Sequence, residues 1–456
     1  MRLGNPSTRL THICLSLVNV VTPGITALEY AQRRSRLAAK LPNNAIAVVA
    51  ASDIQFRSGG VFYEFHQDPD FFYLTGFNEP EALAVIAKSP HEDDHIFHLY
   101  VREKDPKAEI WDGARSGTIA ARDVFNADET GDVARLKDVL PAVVGEVSQV
   151  YTDITTSINK SVLSRFLHGK TSARTEGFAS LIDSSKIRSL RPVINDLRII
   201  KSEAEISNMR AAGRYSGRAF TEAMRHTPSL QTEAALDAYL EYQFRVQGCS
   251  GPSFEPVVAS GVNALSIHYV RNDDVLHPEK LVLVDGGGSY GGYISDITRA
   301  YPASGKFSTA QKDLYEAILS VQRSCVSMCR ESAKVSLDKL HDIAEAGLKE
   351  NLKSLGFDVS GRDTMSALFP HHLGHYIGLD VHDCAGFSRR NNLIANQCVT
   401  IEPGIYVPTE DDDRFPVHFR GMGIRIEDSV AVGEDNPFVL TTEAVKEVAD
   451  IEALQS

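Results

Sequence analysis

Two aspartates in one short stretch, Asp285 and Asp296, are the residues whose placement first indicates chemistry. An apolar run at 281–284 precedes the first aspartate, and a second strand-like run at 293–298 contains the other. If the intervening glycine-rich turn spans 289–292, a hairpin places the two aspartates directly opposite each other on one face. Opposed carboxylates repel, and a pair of divalent cations would compensate their charges. The alternative is a tight hairpin with two surface aspartates.

The same stretch matches the spacing of a dinucleotide-binding fingerprint. Gly286, Gly288 and Gly291 give the pattern G-x-G-x-x-G after a strand. That fingerprint needs a helix after the glycines, because the helix N-terminus faces the pyrophosphate. Here a strand pattern follows, and Asp285 would add negative charge near the phosphates. The stretch therefore argues against a nucleotide site.

A second group of candidate ligands is rich in histidine. His371, His372, His375 and His382 lie close together in the sequence. The spacing of His371 and His375 resembles a zinc-protease helix motif, but that motif requires glutamate at the position of His372. A single histidine is more often a hydrogen-bonded surface or core residue. These histidines indicate a metal site only if carboxylates from other segments lie beside them.

Two glutamates, Glu402 and Glu427, each lie in an apolar, strand-like run. An unpaired carboxylate is costly to bury, and metal ligation would remove that cost. A salt bridge from Glu402 to Arg425 is the simpler alternative. Two aspartates, histidine and two glutamates on apolar strands fit a two-metal carboxylate site, and its oxygen-rich composition favours manganese over zinc.

Length and composition limit the classes of function. A chain of 456 residues predicts two domains. Lys and Arg number 47 and Asp and Glu 60, for a net charge of -13, so we expect neither nucleic acid nor an anionic membrane as partner. No stretch approaches the roughly 20 apolar residues of a membrane span. The six scattered cysteines predict free thiols.

The domain boundary is predicted near residue 190, where Pro192 ends the preceding structure and Ser202 begins a long, capped helix. Alternating strands and helices predict an α/β domain at 29–190. Its aromatic-rich segment at 62–77 is a core, a substrate wall or a subunit contact. The second domain, 191–456, is predicted to contain strand pairs and helices near 202–225, 231–248, 309–332 and 336–355.

Taken in order, these segments resemble the pita-bread metallopeptidases, and specifically the aminopeptidase P family. The run from Tyr73 to Pro80, with the aromatic residues before it, resembles that family's N-terminal domain. Residues from about 195 onward resemble its catalytic domain. The resemblance covers nearly the whole chain and implies an α+β fold, in which a pita-bread domain follows an α/β N-terminal domain.

The resemblance also implies a set of site residues. The family's two divalent cations, commonly manganese, share a bridging water or hydroxide. Their ligands correspond to Asp285, Asp296, His375, Glu402 and Glu427. The catalytic histidines correspond to His268, His371 and His382, and Arg425 to an arginine that supports the carboxylates. Glu402 is expected to accept the proton of the attacking water.

The implied reaction is the release of one N-terminal residue from a peptide or protein. The bond cut precedes proline in the general family, whereas intermediate-cleaving members release a bulky apolar residue from processed mitochondrial proteins. Relatives are often dimers or tetramers, so we expect a homodimer or a higher homo-oligomer.

Several short motifs resemble the mitochondrial branch of the family, among them Gly4 to Ser7, Thr11-His12, Thr22 to Gly24, Arg33-Arg34 and His371-His372. Residues 1–28 contain arginine, serine and threonine and no acid, a composition typical of a mitochondrial presequence or its remnant. The segment 9–21 matches the branch poorly after His12. We expect a mitochondrial protein, with a cytoplasmic one as the alternative.

The sequence leaves other functions open. A prolidase would use the same metal motifs but would accept only dipeptides. A catalytically inactive pita-bread protein would use the fold to bind partners, although the five ligand types are intact. A methionine aminopeptidase would leave the aromatic-rich N-terminal domain unexplained.

Overall fold

The computed structural model describes residues 20–88, 95–145, 147–154 and 182–455. The chain divides into two compact units, one ending at Arg198 and the other beginning at Ile199. Each unit has a hydrophobic core of its own. Most of the predicted presequence segment, residues 1–19, lies outside the described residues.

The first unit alternates strands and helices. Its strands are β1 (Val20–Thr22), β2 (Ile25–Thr26), β3 (Ala45–Ala50), β4 (Phe56–Ser58), β5 (Val61–Phe62), β6 (Leu83–Lys88), β7 (His95–Val101), β8 (Glu129–Asp132), β9 (Gln149–Tyr151) and β10 (Ile187–Arg188). Its helices are α1 (Ala27–Lys40), α2 (Pro69–Thr75), α3 (Pro106–Asp112), α4 (Gly117–Asp123), α5 (Leu136–Val144) and α6 (Arg191–Arg198).

A six-stranded mixed sheet forms the centre of this unit, in the order β10-β9-β3-β6-β7-β8. Strand β3 pairs antiparallel with β6 and parallel with β9. Every residue of β3 up to Val49 is buried, as its apolar sequence requires. The predicted α/β character of this domain is therefore confirmed.

The aromatic-rich segment separates into two parts. Phe71, Tyr73 and Phe77 are buried, so this part belongs to the core. Phe62 and Tyr63 are more than half exposed, on and beside the small antiparallel hairpin that β4 and β5 form. The core explanation therefore applies to the buried part, whereas a substrate wall or a subunit contact stays a prediction for the exposed part.

The second unit combines strand pairs with long helices. Its strands are β11 (Val257–Ser260), β12 (Leu281–Gly286), β13 (Ser289–Tyr290), β14 (Tyr293–Ile294), β15 (Ile297–Pro302), β16 (Cys398–Ile401), β17 (Gly404–Tyr406), β18 (Gly423–Arg425), β19 (Asp428–Ala431) and β20 (Phe438–Val439). Its helices are α7 (Glu203–His226), α8 (Glu233–Gln247), α9 (Thr309–Ser327), α10 (Leu337–Ser354), α11 (Thr364–Leu368) and α12 (Val448–Ala453).

The long helices begin where the sequence predicts. Ser202 and Glu205 form a reciprocal capping box at the start of α7, and Ser308 and Gln311 form another at α9. Helix α9 ends at Ser327 rather than near 332. After the helix, the Glu331 N–H donates to the carbonyl of Gly433 at 2.9 Å instead of continuing the helical hydrogen bonds.

The predicted hairpin between the two aspartates exists, but its predicted register is wrong. The turn is centred on Gly291 and Gly292, which both have positive φ, as a two-residue hairpin turn requires. Asp285 consequently lies opposite Thr298 and not opposite Asp296. Because the shift is an even number of residues, both aspartates keep the same face and are diagonal neighbours.

Two expectations about the whole chain concern membranes and thiols. Among the described residues, no helix is both long and apolar enough to span a bilayer. Five cysteines, Cys249, Cys325, Cys329, Cys384 and Cys398, are free and buried. Cys14 lies outside the described residues.

Candidate metal centre

Asp285 and Asp296 come from neighbouring antiparallel strands. Asp285 is near the end of β12, and Asp296 directly precedes β15. The Asp296 backbone is fixed on both sides by Ser429, whose Oγ accepts from the Asp296 N–H at 3.1 Å and donates to its carbonyl at 2.9 Å. Strand pairing and this contact together direct both carboxylates to one point.

Two glutamates reach the same point from breaks between strands. Glu402 lies between β16 and β17, and its N–H donates to the carbonyl of Leu373 at 2.7 Å. Glu427 lies between β18 and β19, and its N–H donates to the carbonyl of Thr298 at 3.0 Å. Each break therefore frees one carboxylate while its backbone remains bonded.

His375 belongs to the segment after α11 and not to a helix. Its N–H donates to Thr400 Oγ1 at 3.0 Å, and its Nδ1 donates to the carbonyl of Tyr376 at 3.1 Å. A carbonyl only accepts, so Nδ1 carries the proton and Nε2 presents a lone pair. Nε2 lies 3.5 Å from Asp296 Oδ2 and 3.6 Å from Glu402 Oε1.

We call this set the carboxylate centre: Asp285, Asp296, His375, Glu402 and Glu427. Ligand atoms of Asp296, His375 and Glu427 lie within 4.8 Å of one another. Oδ1 of Asp285, Oδ1 of Asp296 and Oε1 of Glu427 are buried, and no described group hydrogen-bonds to them. Buried carboxylate oxygens without partners are costly, and divalent cations fit this oxygen-rich donor set.

Crowding of negative charge is visible in the pKa values of the centre. Burial raises the pKa of Asp296, and the charges of Asp285 and Glu402 raise it further. Burial also raises the pKa of Glu427, with Asp296 the largest electrostatic contributor. The centre therefore favours added protons or cations, and bound divalent ions would reverse these shifts.

Arg425 connects the carboxylates. Its Nη2 donates to Asp285 Oδ2 at 2.5 Å and its Nε to Thr298 Oγ1 at 3.0 Å. Thr298 in turn donates to Glu427 Oε2 at 2.6 Å. The observed salt bridge of Arg425 is thus with Asp285, whereas the sequence offered Glu402 as its partner.

His371 lies at the edge of the centre. Its Nδ1 is 3.7 Å from Glu402 Oε2, and its Nε2 is 2.9 Å from the Tyr406 hydroxyl. Tyr406 also accepts from Arg425 Nη1 at 2.6 Å. Burial, with the charge of Arg425, lowers the pKa of His371 to about 3, so this imidazole is neutral at physiological pH.

His382 lies beside His375, and His268 is an electrostatic neighbour of His382. The rings of His375 and His382 are perpendicular, with centroids 4.6 Å apart. Partial burial, with the charges of His375 and His268, lowers the pKa of His382 to about 4. Of the nine candidate site residues, the eight other than His268 each contact another residue of the site. His268 is an electrostatic neighbour of His382.

Three further residues of the site were missed by the sequence reasoning. Tyr406 joins His371 to Arg425, Thr298 joins Arg425 to Glu427, and Thr400 donates to Glu402 Oε1 at 3.3 Å. All three lie within four residues of a predicted ligand. That proximity is the only signal in the sequence, because a tyrosine or threonine in a strand is usually structural.

Comparison with known proteins gives a consistent result. Residues 207–434 match the model of "Metallopeptidase family M24", and residues 30–151 match "Aminopeptidase P, N-terminal domain". Intermediate cleaving peptidase 55 of Saccharomyces cerevisiae is 44% identical over 95% of this chain and 84% of its own length. Its crystal structure, lacking 58 N-terminal residues, superposes with a TM-score of 0.87 at 42% identity, covering 95% of this chain and 98% of that chain.

Two further relatives cover both units. Xaa-Pro aminopeptidase 3 of Homo sapiens is 36% identical over 100% of this chain and 90% of its own length. Intermediate cleaving peptidase 55, mitochondrial, of Arabidopsis thaliana is 34% identical over 99% of this chain and 87% of its own length. The similarity therefore extends over the α/β unit as well as the unit that contains the carboxylate centre.

Proposed function

Because this chain belongs to metallopeptidase family M24 and is a metalloaminopeptidase of the aminopeptidase P type, we propose that it hydrolyses the first peptide bond of its substrates at the carboxylate centre. Each cycle would release one N-terminal residue. The substrates would be peptides or protein N-termini in which proline is the second residue or a bulky apolar residue is the first.

The observation that carries this proposal is the set of buried carboxylate oxygens without partners beside His375 Nε2. Such a set is unfavourable by itself and favourable around cations. We propose two divalent cations, specifically Mn²⁺, because oxygen ligands outnumber the single imidazole. When bound, the cations would polarise the substrate carbonyl and acidify water.

Glu402 is our candidate for proton transfer. One of its oxygens faces His375 and the other faces His371, so its carboxylate spans the centre and the edge where a peptide would lie. Thr400 fixes its orientation through Oε1. A carboxylate in this position can take the proton of the attacking water and deliver it to the leaving nitrogen.

The histidines would hold the peptide. Hydrogen bonds from Arg425 to Tyr406 and from Tyr406 to His371 fix the His371 ring beside Glu402. His382 lies beside His375, and His268 is close enough to His382 to affect its pKa. We propose that these three imidazoles bind the scissile carbonyl and the residue after it, and stabilise the charge that develops on the carbonyl oxygen.

The family and this donor set leave three activities to separate by experiment. Mn²⁺-loaded protein is incubated with Xaa-Pro-Xaa tripeptides, Xaa-Pro dipeptides, and longer peptides that begin with Tyr, Leu or Phe and lack proline. Mass spectrometry should show loss of one residue from the tripeptides, the longer peptides or both. Asp285→Asn should abolish this loss, whereas Asp313→Asn, which changes an exposed aspartate on α9, should not.

Other outcomes would contradict the proposal in distinguishable ways. Cleavage of dipeptides alone would show a prolidase. A folded protein that binds Mn²⁺ and cleaves none of the peptides would show a binding role.

Location and assembly are also proposals. The acid-free N-terminal composition and the similarity to a relative named as mitochondrial support a mitochondrial location. A homodimer or higher homo-oligomer is supported by the exposed apolar residues Phe56, Val61 and Phe62 on the β4–β5 hairpin and Tyr63 beside it. Because such a patch is unfavourable in water, we propose that it contacts another subunit.

A further inference from the structure

A buried ion pair lies next to the carboxylate centre without belonging to it. Lys201 Nζ donates to Asp383 Oδ2 at 2.9 Å, and both side chains are only 1% exposed. Lys201 directly precedes the N-cap of α7, and its N–H donates to the carbonyl of Asn396 at 2.9 Å. The ammonium is therefore attached to a firmly bonded part of the second unit.

Asp383 closes a compact loop that begins at Tyr376. The Asp383 N–H donates to the Tyr376 carbonyl at 2.9 Å. Inside this loop, Gly378 passes so close to the ion pair that a Cβ there would lie 2.6 Å from Asp383 Oδ2 and 2.9 Å from Lys201 Cε. The loop is thus packed directly on the Lys201–Asp383 contact.

The same loop presents His382. This histidine directly precedes Asp383 in the sequence. Its ring packs against His375 and is partly exposed to solvent, whereas the Asp383 side chain is buried inside the domain. A displacement of Asp383 must therefore move the His382 backbone. Lys201 lies far from the loop in the sequence. Its own position is therefore set by other parts of the domain and not by the conformation of the loop.

We propose that Lys201 is a positioning residue for His382: by holding the Asp383 carboxylate inside the domain, its ammonium fixes the loop that carries His382 to the carboxylate centre. The inference rests on the proposed function, because it assumes that His382 contacts the peptide. A buried ion pair is weak evidence of stabilisation, since well-packed apolar residues of similar volume often serve equally well. The ion pair differs from an apolar pair in that its hydrogen bond holds the two side chains in one defined geometry.

The test replaces the pair by apolar residues. Lys201→Met/Asp383→Leu is made in the wild-type chain and in a His382→Ala chain, and all four proteins are loaded with Mn²⁺. In the wild-type background, kcat should fall by up to about 100- to 1000-fold, the loss expected when one donor that stabilises the developing oxyanion is removed. KM and the number of bound Mn²⁺ ions should change little. In the His382→Ala background, the same replacement should cause no further loss.

Two controls keep the result interpretable. Arg33→Met breaks the ion pair of a buried arginine with the partly exposed Glu29 in the first unit and should leave kcat unchanged. Asp383→Asn keeps the shape of the side chain and serves if the double variant does not fold. It should lower kcat in the wild-type chain and have no effect in the His382→Ala chain.

Crystal structures of the wild type and the variant decide the positioning claim independently of activity. The His382 ring should leave its place 4.6 Å from His375 in the variant. An unmoved ring, or an equal loss of kcat in both backgrounds, would overturn the inference. If the wild type cleaves no peptide, or His382→Ala keeps full kcat, the proposed function fails while the structures still test the anchor.

Discussion

Arg425 and Asp285 form a salt bridge of 2.5 Å whose arginine is almost completely buried. The same guanidinium donates to Tyr406 and Thr298, so one side chain contacts, directly or through one hydroxyl, two carboxylates of the centre and the His371 ring. The arrangement explains how strands distant in sequence present their ligands in a fixed geometry.

Replacing Arg425 should therefore disturb the two carboxylates that it orients, Asp285 directly and Glu427 through Thr298. Arg425→Met is expected to lower Mn²⁺ affinity or kcat/KM by about 10- to 100-fold, because Asp285 and Glu427 lose their orienting partners. Metal titration and steady-state kinetics measure both quantities. Arg323→Met, which breaks an exposed ion pair with Glu447 on the surface, is the control. Equal values for the two variants would contradict the role of Arg425.

Gly374 should be intolerant of any side chain. A Cβ at this position would lie 1.9 Å from the carbonyl oxygen of Thr400, the residue that hydrogen-bonds both His375 and Glu402. We expect Gly374→Ala to lower Mn²⁺ affinity by about 10-fold or more, as displaced ligands do. Gly59→Ala, where no atom lies within 4 Å of the new Cβ, is the matched control. Unchanged metal affinity in Gly374→Ala would show that the segment adjusts freely.

Asp237 should make stability depend on pH. Burial raises the pKa of Asp237 from 3.8 to about 6, although the hydrogen bond that Asn272 donates to it acts to lower this pKa. A raised folded-state pKa means that the stabilising contribution is complete below the unfolded value and is lost as pH rises through about 6. The shift would correspond to roughly 3 kcal/mol in a fully buried group, and partial exposure reduces it to about 1 kcal/mol.

Asp237→Asn removes this titration. Thermal unfolding of the Mn²⁺-loaded proteins should show the variant gaining stability relative to the wild type between pH 4.5 and pH 7.5. Asp313→Asn, which changes an exposed aspartate, should show a constant difference. The same wild-type–variant difference at both pH values for Asp237→Asn would rule out the shift.

The exposed hairpin should control assembly. Phe56→Ser/Phe62→Ser removes two apolar side chains that are 60% and 58% exposed. Light scattering coupled to size-exclusion chromatography is expected to show a lower molar mass than that of the wild type, because the subunit contact loses apolar area. Val246→Ser, which removes an equally exposed apolar residue from α8, should leave the mass unchanged. An unaltered mass in the hairpin variant would place the contact elsewhere.

The sequence predicted local structure best where one short segment contains all the residues that determine it. The apolar runs and glycines around Asp285 predict a hairpin, and Ser202 and Ser308 predict helix starts, because each depends on neighbouring residues only. The register error has the same origin. Two glycines with positive φ fix the turn, and the sequence Ser289 to Gly292 permits more than one placement of it.

Contacts between distant segments could not be predicted in this way. The Arg425–Asp285 and Lys201–Asp383 pairs join residues 140 and 182 positions apart. Neither sequence pattern nor local propensity contains such a pairing. The division of the aromatic segment into buried Phe71 and exposed Phe62 likewise depends on tertiary packing, because both are phenylalanines in an aromatic-rich run.

The central claim is that the carboxylate centre holds two divalent cations and that these drive release of a single N-terminal residue. It is tested most directly by adding Mn²⁺ stepwise to chelator-treated protein and following single-residue release from a peptide by mass spectrometry. The rate should rise from near zero and stop rising at two ions per chain. A rate that is independent of added Mn²⁺, or a folded protein that binds two ions and releases no residue, would contradict the account.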